Sequence, residues 1–341
     1  MRLGLRLICG ILVAAAPLGT SWAQDAAPFF KGKQIRILIS AGVAGGYNEY
    51  ARLLASHMGN HIAGKPDFIV QSMPGAGGLL ATNYVFTQAP QDGTTIGLIH
   101  SSVPLAPLFG TQGARFDPQK FHWLGSMDRS DGPCTAWHTS PAKTWADLLQ
   151  TQFIVGSSGV GSQMDIYPAV LNKLFGTKIK VIGGYKDGAS IFHAMEREEI
   201  HGRCGPQVTA IKSLRPHWLT EHKITAPIVV SEKRSPDFPD APAIMEFAKD
   251  EPTRQQLRLL IVTQDLDRPV LTPPGVPPQR VKELRDAFNA TMNDPAFRAD
   301  IDKLRLTLDW VRGEEVAKTI AGAYAMPADV VAAAKEMMAG K

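Results

Sequence analysis

Two glycine-rich stretches carry the groups best placed for chemistry: Ser40 to Arg52, Ser-Ala-Gly-Val-Ala-Gly-Gly-Tyr-Asn-Glu-Tyr-Ala-Arg, and Met73 to Gly78, Met-Pro-Gly-Ala-Gly-Gly. Glycine lets backbone amides approach a ligand closely, and amides at a helix start form an anion site without any cationic side chain. The chemistry implied is capture of a carboxylate by Gly45, Gly46, Tyr47 and Asn48, and by Gly75, Ala76, Gly77 and Gly78. Tyr47 is a candidate cleft wall, or else an aromatic packed at a helix start. Further along, Gly156-Ser-Ser-Gly-Val-Gly-Ser162 offers the hydroxyls of Ser157, Ser158 and Ser162, and Tyr185-Lys-Asp-Gly188 offers Asp187. Ser101, in the stretch after Ile99, joins this candidate set.

Enzyme signatures fail on the same residues. Gly156-Ser157-Ser158-Gly159-Val160 misses the last glycine of a hydrolase nucleophile elbow. No Gly-Lys-Ser/Thr follows the serine loop, and Ala44-Gly45-Gly46 lacks the dinucleotide glycine spacing. His57 and His61 share a helix face, but without the glutamate of a zinc-protease motif or an obvious third ligand they read as a solvated face. His193 and His201 read as surface or packing residues. No catalytic residue, metal or cofactor is expected.

The elements that must hold these loops alternate. Ile35 to Ile39, Phe68 to Val70 and Thr94 to Ile99 read as strands, each glycine loop leading from a strand into a helix, the second helix running from Leu79 to Gln88. Alternating strands and helices imply parallel pairing, with ligands bound beyond the strands' carboxyl ends. After Phe121 to Met127 and Pro133 to Trp137 the pattern repeats: strand Phe153 to Val155, serine loop, helix Asp165 to Phe175, strand Lys178 to Ile182, loop, helix to Glu198, strand Ile200 to Cys204. Thr144 and Asp147 form a near capping box at a short helix. Ala226 to Ser231 reads as a strand, Leu257 to Thr263 as a strand or a helix end, and Pro278 to Asn293 as a helix. From Gly313 the pattern is helical, broken at Met326-Pro327. The expected architecture is α/β with two Rossmann-like lobes around a central cleft. Lobe 1 is read as residues 28–125 plus 232–341, and lobe 2 as 126–231.

The chain of 341 residues opens with Met-Arg-Leu-Gly-Leu-Arg, an apolar run from Leu7 to Leu18, and Ser21-Trp22-Ala23 before Gln24-Asp25. That is the form of a secretory signal peptide cleaved after Ala23, with an apolar run of about 12 residues where a membrane span needs about 20. Cleavage removes Arg2 and Arg6 and lowers the formal charge from +4 to +2, which argues against nucleic acid as partner. Cys134 and Cys204 then remain, and in an oxidising compartment the pair is expected to be bridged, two buried free thiols being the alternative.

In order along the chain, Ala-Gly-Gly-x-Asn-x-x-Ala-Arg, Pro-Gly-Ala-Gly-Gly, Ala89-Pro-x-Asp-Gly-Thr94, Gly156-Ser-Ser-Gly-x-Gly-Ser162, Tyr185-Lys-Asp-Gly188, Pro239-Asp-Ala-Pro242 and Pro273-Pro-Gly-Val-Pro277 resemble the substrate-binding proteins of tripartite tricarboxylate transporters, the Bug or TctC-like receptors. The resemblance covers nearly the whole mature chain and implies a periplasmic, monomeric Venus-flytrap receptor of the type II binding-protein kind. Such a receptor closes on a small organic acid and delivers it to membrane permease subunits. It further implies that the first lobe's glycine loops grip a carboxylate. Asn48 stands where the family commonly has aspartate, and Ser72 where it commonly has asparagine. An exported hydrolase using the same cleft, or a receptor for an ABC importer, are the competing readings.

Overall fold

The structure, a computed structural model, describes residues 28–159, 162–205 and 208–338; the apolar leader, and Val160 and Gly161 of the serine loop, lie outside the described residues. Short apolar runs build two sheets. β1 (Gln34–Ile39), β2 (Asp67–Ser72), β3 (Thr95–Leu98) and β4 (His122–Asp128) start the first. β5 (Gly132–Trp137), β6 (Phe153–Gly156), β7 (Ile179–Ile182), β8 (Gly202–Cys204) and β9 (Ile224–Val230) form the second, in the order β7-β6-β8-β5-β9. The chain then returns through β10 (Asp267–Thr272) and β11 (Val311–Arg312), completing the first sheet as β11-β4-β10-β3-β1-β2.

Helices cover both sheets. α1 (Gly46–His57) and α2 (Leu79–Thr87) are the crossovers that make β2, β1 and β3 parallel, as the alternating pattern requires. α3 (Trp145–Gln150) begins at a complete capping box: the Asp147 amide donates to Thr144 Oγ1 at 3.2 Å, and the Thr144 amide to Asp147 Oδ2 at 2.9 Å. α4 (Gln163–Phe175) and α5 (Gly188–Glu196) follow the loops after β6 and β7, α4 stopping at the left-handed Gly176. α6 (Val208–Leu214), α7 (His217–Thr220) and α8 (Glu251–Ile261) complete the second sheet's surroundings. α9 (Pro278–Asn293), α10 (Pro295–Lys303), α11 (Gly313–Tyr324) and α12 (Ala328–Met338) end the chain. Leu257 to Ile261 thus resolves as helix, followed by a tight turn over Val262–Leu266.

Each sheet has its own core. Ile35, Ile37, Ile96 and Val270 pack with Tyr50 and Leu54 of α1 and with Phe288 of α9. Phe153, Val155, Ile228 and Val230 pack with Tyr167 of α4. In the second sheet Cys134 lies opposite Cys204 on β5 and β8, and their sulfurs are bonded at 2.05 Å.

Two features depart from the sequence reading. β10 was not anticipated: Asp-Arg-Pro-Val-Leu-Thr neither alternates nor avoids proline, because the strand is buried along its whole length between β3 and β4. It runs antiparallel to both, so the first sheet is mixed rather than parallel. Assigning 232–341 wholly to the first lobe also fails, since Ile244, Met245, Leu257 and Leu260 share a core with Phe153 and Cys134. α12 packs on α4 and α8, with Ala334 in that same core. Where the chain crosses between sheets, at 129–131, 262–266 and 325–327, the first two crossings are tied by the Ser130 amide donating to the Gln264 carbonyl at 3.1 Å.

Candidate functional site

Three helices begin at one cavity between the sheets. α1 contributes Gly45 to Tyr47, α4 Ser162 to Met164, and α5 Asp187 to Ala189. First-turn amides have no intrahelical partner, and the aligned peptide dipoles put partial positive charge at that end. Gly45 adopts φ 93°, ψ 177°, a conformation open essentially to glycine alone, and from it the chain enters α1. Glycine also sets how closely the lobes meet. A Cβ at Gly42 would fall 2.7 Å from Asp187 Oδ2, and one at Gly159 would lie 3.6 Å from the Gly77 amide nitrogen.

The second glycine loop lines an adjoining chamber with Gly75, Gly77 and Gly78, and His100, Ser158 and Lys186 border both spaces. Gly75, Ala76, Gly77 and Gly78 all have positive φ (144°, 46°, 63° and 104°). His100 Nδ1 sits 3.0 Å from the Gly77 carbonyl, which only accepts, so Nδ1 carries the proton and donates. Burial lowers the His100 pKa to about 4, leaving the ring neutral at neutral pH. It meets the Tyr47 ring edge-on at 4.8 Å. Burial also pushes the Tyr47 phenol up to about 12, so that side chain lines the cavity as a neutral hydroxyl.

The expectation of an anion site without cations is corrected by two arginines. Arg268, on β10, and Arg203, on β8, both line the first chamber although both are buried. Arg268 pairs with Asp267 and lies over the Tyr47 ring, 4.3 Å from its centre. Its side chain is packed so closely against α1 that a Cβ at Gly46 would come within 3.1 Å of Nη2. Arg203 lies 5.4 Å from the Phe192 ring centre, and a Cβ at Gly188 would come within 2.8 Å of its Nη1. Each guanidinium therefore depends on a glycine at a helix start. Burial and the neighbouring Arg268 lower the Arg203 pKa to about 10, still charged at neutral pH.

Other expected site residues fall at different depths. Ser158 and Asp187 reach the cavity, with Asp187 capping α5 by accepting from the Ser190 amide at 2.8 Å. Ser158 Oγ is buried without a hydrogen-bond partner among the described residues. Ser157 and Ser101 stand behind the wall. Ser157 Oγ accepts from the Gly159 amide at 3.1 Å, and Ser101 Oγ donates across the lobes to Gln163 Oε1 at 3.0 Å. Asn48 is buried inside the first turn of α1, and Ala76 is exposed outside both chambers. His57 and His61 each pair with an aspartate instead of sharing a site, His57 with Asp300 at 3.0 Å and His61 with Asp294 at 2.9 Å.

Two sheets joined by paired crossings, with helix starts meeting in the cleft, define a type II periplasmic-binding-protein fold. BugD, a periplasmic binding protein, superposes with a TM-score of 0.70 at 19% identity, over 90% of this chain and 98% of that one. MatC from Rhodopseudomonas palustris, with bound malate, superposes with a TM-score of 0.68 at 19% identity, over 91% of this chain and 100% of that one. In sequence, a UPF0065 protein from the gbd 5' region of Cupriavidus necator is 25% identical over 318 residues, 91% of this chain and 90% of that protein. The family model of the tripartite tricarboxylate transporter receptor matches residues 50–325. The chain belongs to that family.

Proposed function

We propose that the cleft between the sheets captures a small carboxylate, holds it at the helix starts of α1, α4 and α5, and presents it to the membrane permease of a tripartite transporter. Family membership makes the chain a solute-binding receptor of that class rather than an enzyme, which sets aside the exported-hydrolase reading and favours a tripartite system over an ABC importer. The observation that carries the ligand class is the convergence of three helix N-termini on one cavity. Two structural relatives carry organic acids, MatC with malate and a second R. palustris protein with adipate. Gly45, Gly46, Tyr47, Gly75, Gly77, Gly78, Ser158, Ser162 and Asp187 are the proposed contacts, with Asn48, Ser101 and Ser157 positioning them.

The lobe division we infer is 28–128 with 267–324, and 132–261 with α12. Hinge motion at the three crossings, 129–131, 262–266 and 325–327, then opens and closes the cleft, which the Ser101–Gln163 and Ser213–Glu49 hydrogen bonds span in this structure. A thermal-shift screen of the mature chain against an organic-acid panel tests the ligand class. A true ligand at 100 times its dissociation constant adds about 2.7 kcal/mol. A broad panel in which no carboxylate raises the melting point contradicts the proposal. Members of this family act in the periplasm. For this chain the leader is proposed to be cleaved after Ala23 and the receptor to work as a monomer. Native and denaturing mass spectrometry of the exported protein checks both, expecting Gln24 as first residue and a single-chain mass.

A further inference from the structure

We propose that the seam between the lobes at α6 is a proton-linked clasp: Asp128 takes up a proton as the cleft closes, so the receptor shuts more readily in a mildly acidic medium and loosens as the pH rises. This rests on the hinge-closure reading of the cleft and adds a control on it.

The seam pairs carboxylates of the first lobe with hydroxyls of the second. Thr209 and Ser213 stand four apart on α6 and so share one face of it. Ser213 Oγ donates to Glu49 of α1, 3.2 and 3.1 Å from its two oxygens. Thr209 Oγ1 lies 3.2 Å from Asp128 Oδ2 and 2.8 Å from Thr307 Oγ1. Asp128 ends β4, immediately before the 129–131 crossing, and is fully buried. Its Oδ2 also meets the Tyr50 hydroxyl at 3.2 Å and the Thr307 hydroxyl.

These hydroxyls serve a neutral carboxyl better than a charged one. The one Tyr50 proton has a closer acceptor in the Thr307 carbonyl, at 2.5 Å, and the Thr209 proton a closer one in Thr307 Oγ1. Thr307 is left as the firm donor to Oδ2, and Asp128 Oδ1 is buried with no hydrogen-bond partner among the described residues. An ionised carboxylate so placed is cut off from water with little in exchange. A protonated one keeps the cluster bonded, since each hydroxyl can accept as well as donate.

The surrounding charges divide. On β10, Asp267 sits opposite Asp128 in the strand pairing and repels its charge, while Arg268 attracts it but is itself paired with Asp267. On α1, burial raises the Tyr50 and Glu49 pKa values, which keeps the Tyr50 phenol neutral. Arg129, next along the chain, is engaged by Asp309 and Asp265, and Lys212 of α6 by Asp237. Burial first, and Asp267 second, raise the Asp128 pKa to about 6. Opening withdraws α6 with Thr209 and admits water, which returns the carboxyl toward its ordinary value of about 4. The advantage to the closed form is therefore complete below that ordinary value and lost as the pH rises through about 6.

The test is the distance between the lobes of the mature chain, read by pulsed electron spin resonance from nitroxides at Glu221→Cys and Lys303→Cys, exposed positions on opposite lobes. The closed-to-open ratio at pH 5 is expected to be about 5- to 10-fold that at pH 7.5. Asp128→Asn, neutral at every pH, should hold the higher ratio throughout, and Glu49→Gln should keep the pH dependence. Equal ratios at the two pH values overturn the inference and leave hinge closure intact. So does a dependence that survives Asp128→Asn or vanishes in Glu49→Gln. Should Asp128→Asn not fold, Thr209→Ala decides: without the second lobe's hydroxyl, and with water admitted to Asp128, the gain should fall below about twofold, and an undiminished gain overturns the inference. One lobe separation at every pH and with every acid of the panel would remove the hinge reading itself, and the clasp with it.

Discussion

Replacing Gly78 by alanine is expected to cost about 2 to 5 kcal/mol of stability and to abolish acid binding. Two penalties coincide there. Gly78 has φ 104°, which side-chain-bearing residues rarely adopt, and a Cβ would lie 2.8 Å from His100 Nδ1 and 3.0 Å from Val103 Cγ2. Moving His100 breaks its hydrogen bond to the Gly77 carbonyl and disturbs its edge-on packing on Tyr47, so the damage reaches both chambers. Gly32→Ala is the control. Its φ is also positive, 70°, but no atom lies within 4 Å of the new Cβ, so only backbone strain of about 1 kcal/mol remains. Denaturant unfolding of both variants, with acid titration alongside, reads the difference. A Gly78→Ala protein as stable as the control would contradict the packing described around His100.

Removing the disulfide is the second large effect. Cys134 and Cys204 are 70 residues apart, and closing a loop of that length stabilises by about 4 kcal/mol in the chain-entropy account. Cys134→Ser with Cys204→Ser should lower the unfolding free energy by that order. Binding should weaken too, because Arg203 adjoins Cys204 on the three-residue strand β8. Equal unfolding midpoints with and without reductant, together with two reactive thiols in the native protein, would contradict it.

What could be read from the sequence follows from how locally each feature is encoded. The glycine loops were legible because positive φ at Gly45, Gly75 and Gly78 demands glycine whatever the distant surroundings. The cysteines were legible because an exported pair has few other uses. Arg203 and Arg268 were not, since an arginine in an apolar strand carries no local mark of facing a cleft. Only the fold brings β8 and β10 beside the starts of α1 and α5. β10 escaped for a related reason: with both faces covered it has no alternation, and Pro269 disguises it. The placement of Ile244 to Leu260 and of α12 with the second sheet is likewise a matter of long-range packing, invisible to periodicity. Ala76 sits in the glycine loop by sequence, yet its side chain points to solvent rather than into either chamber.

The central claim is that a carboxylate is held where the helix starts and glycine loops converge. The most direct measurement is a crystal structure with the acid that gives the largest thermal shift. The account predicts one carboxylate at about 2.7 to 3.2 Å from amide nitrogens of the Gly45–Tyr47 or Gly75–Gly78 segments, with the sheets' loops closed over it. An acid bound outside the cleft, or one whose carboxylates face solvent while its carbon chain fills the chambers, would contradict it.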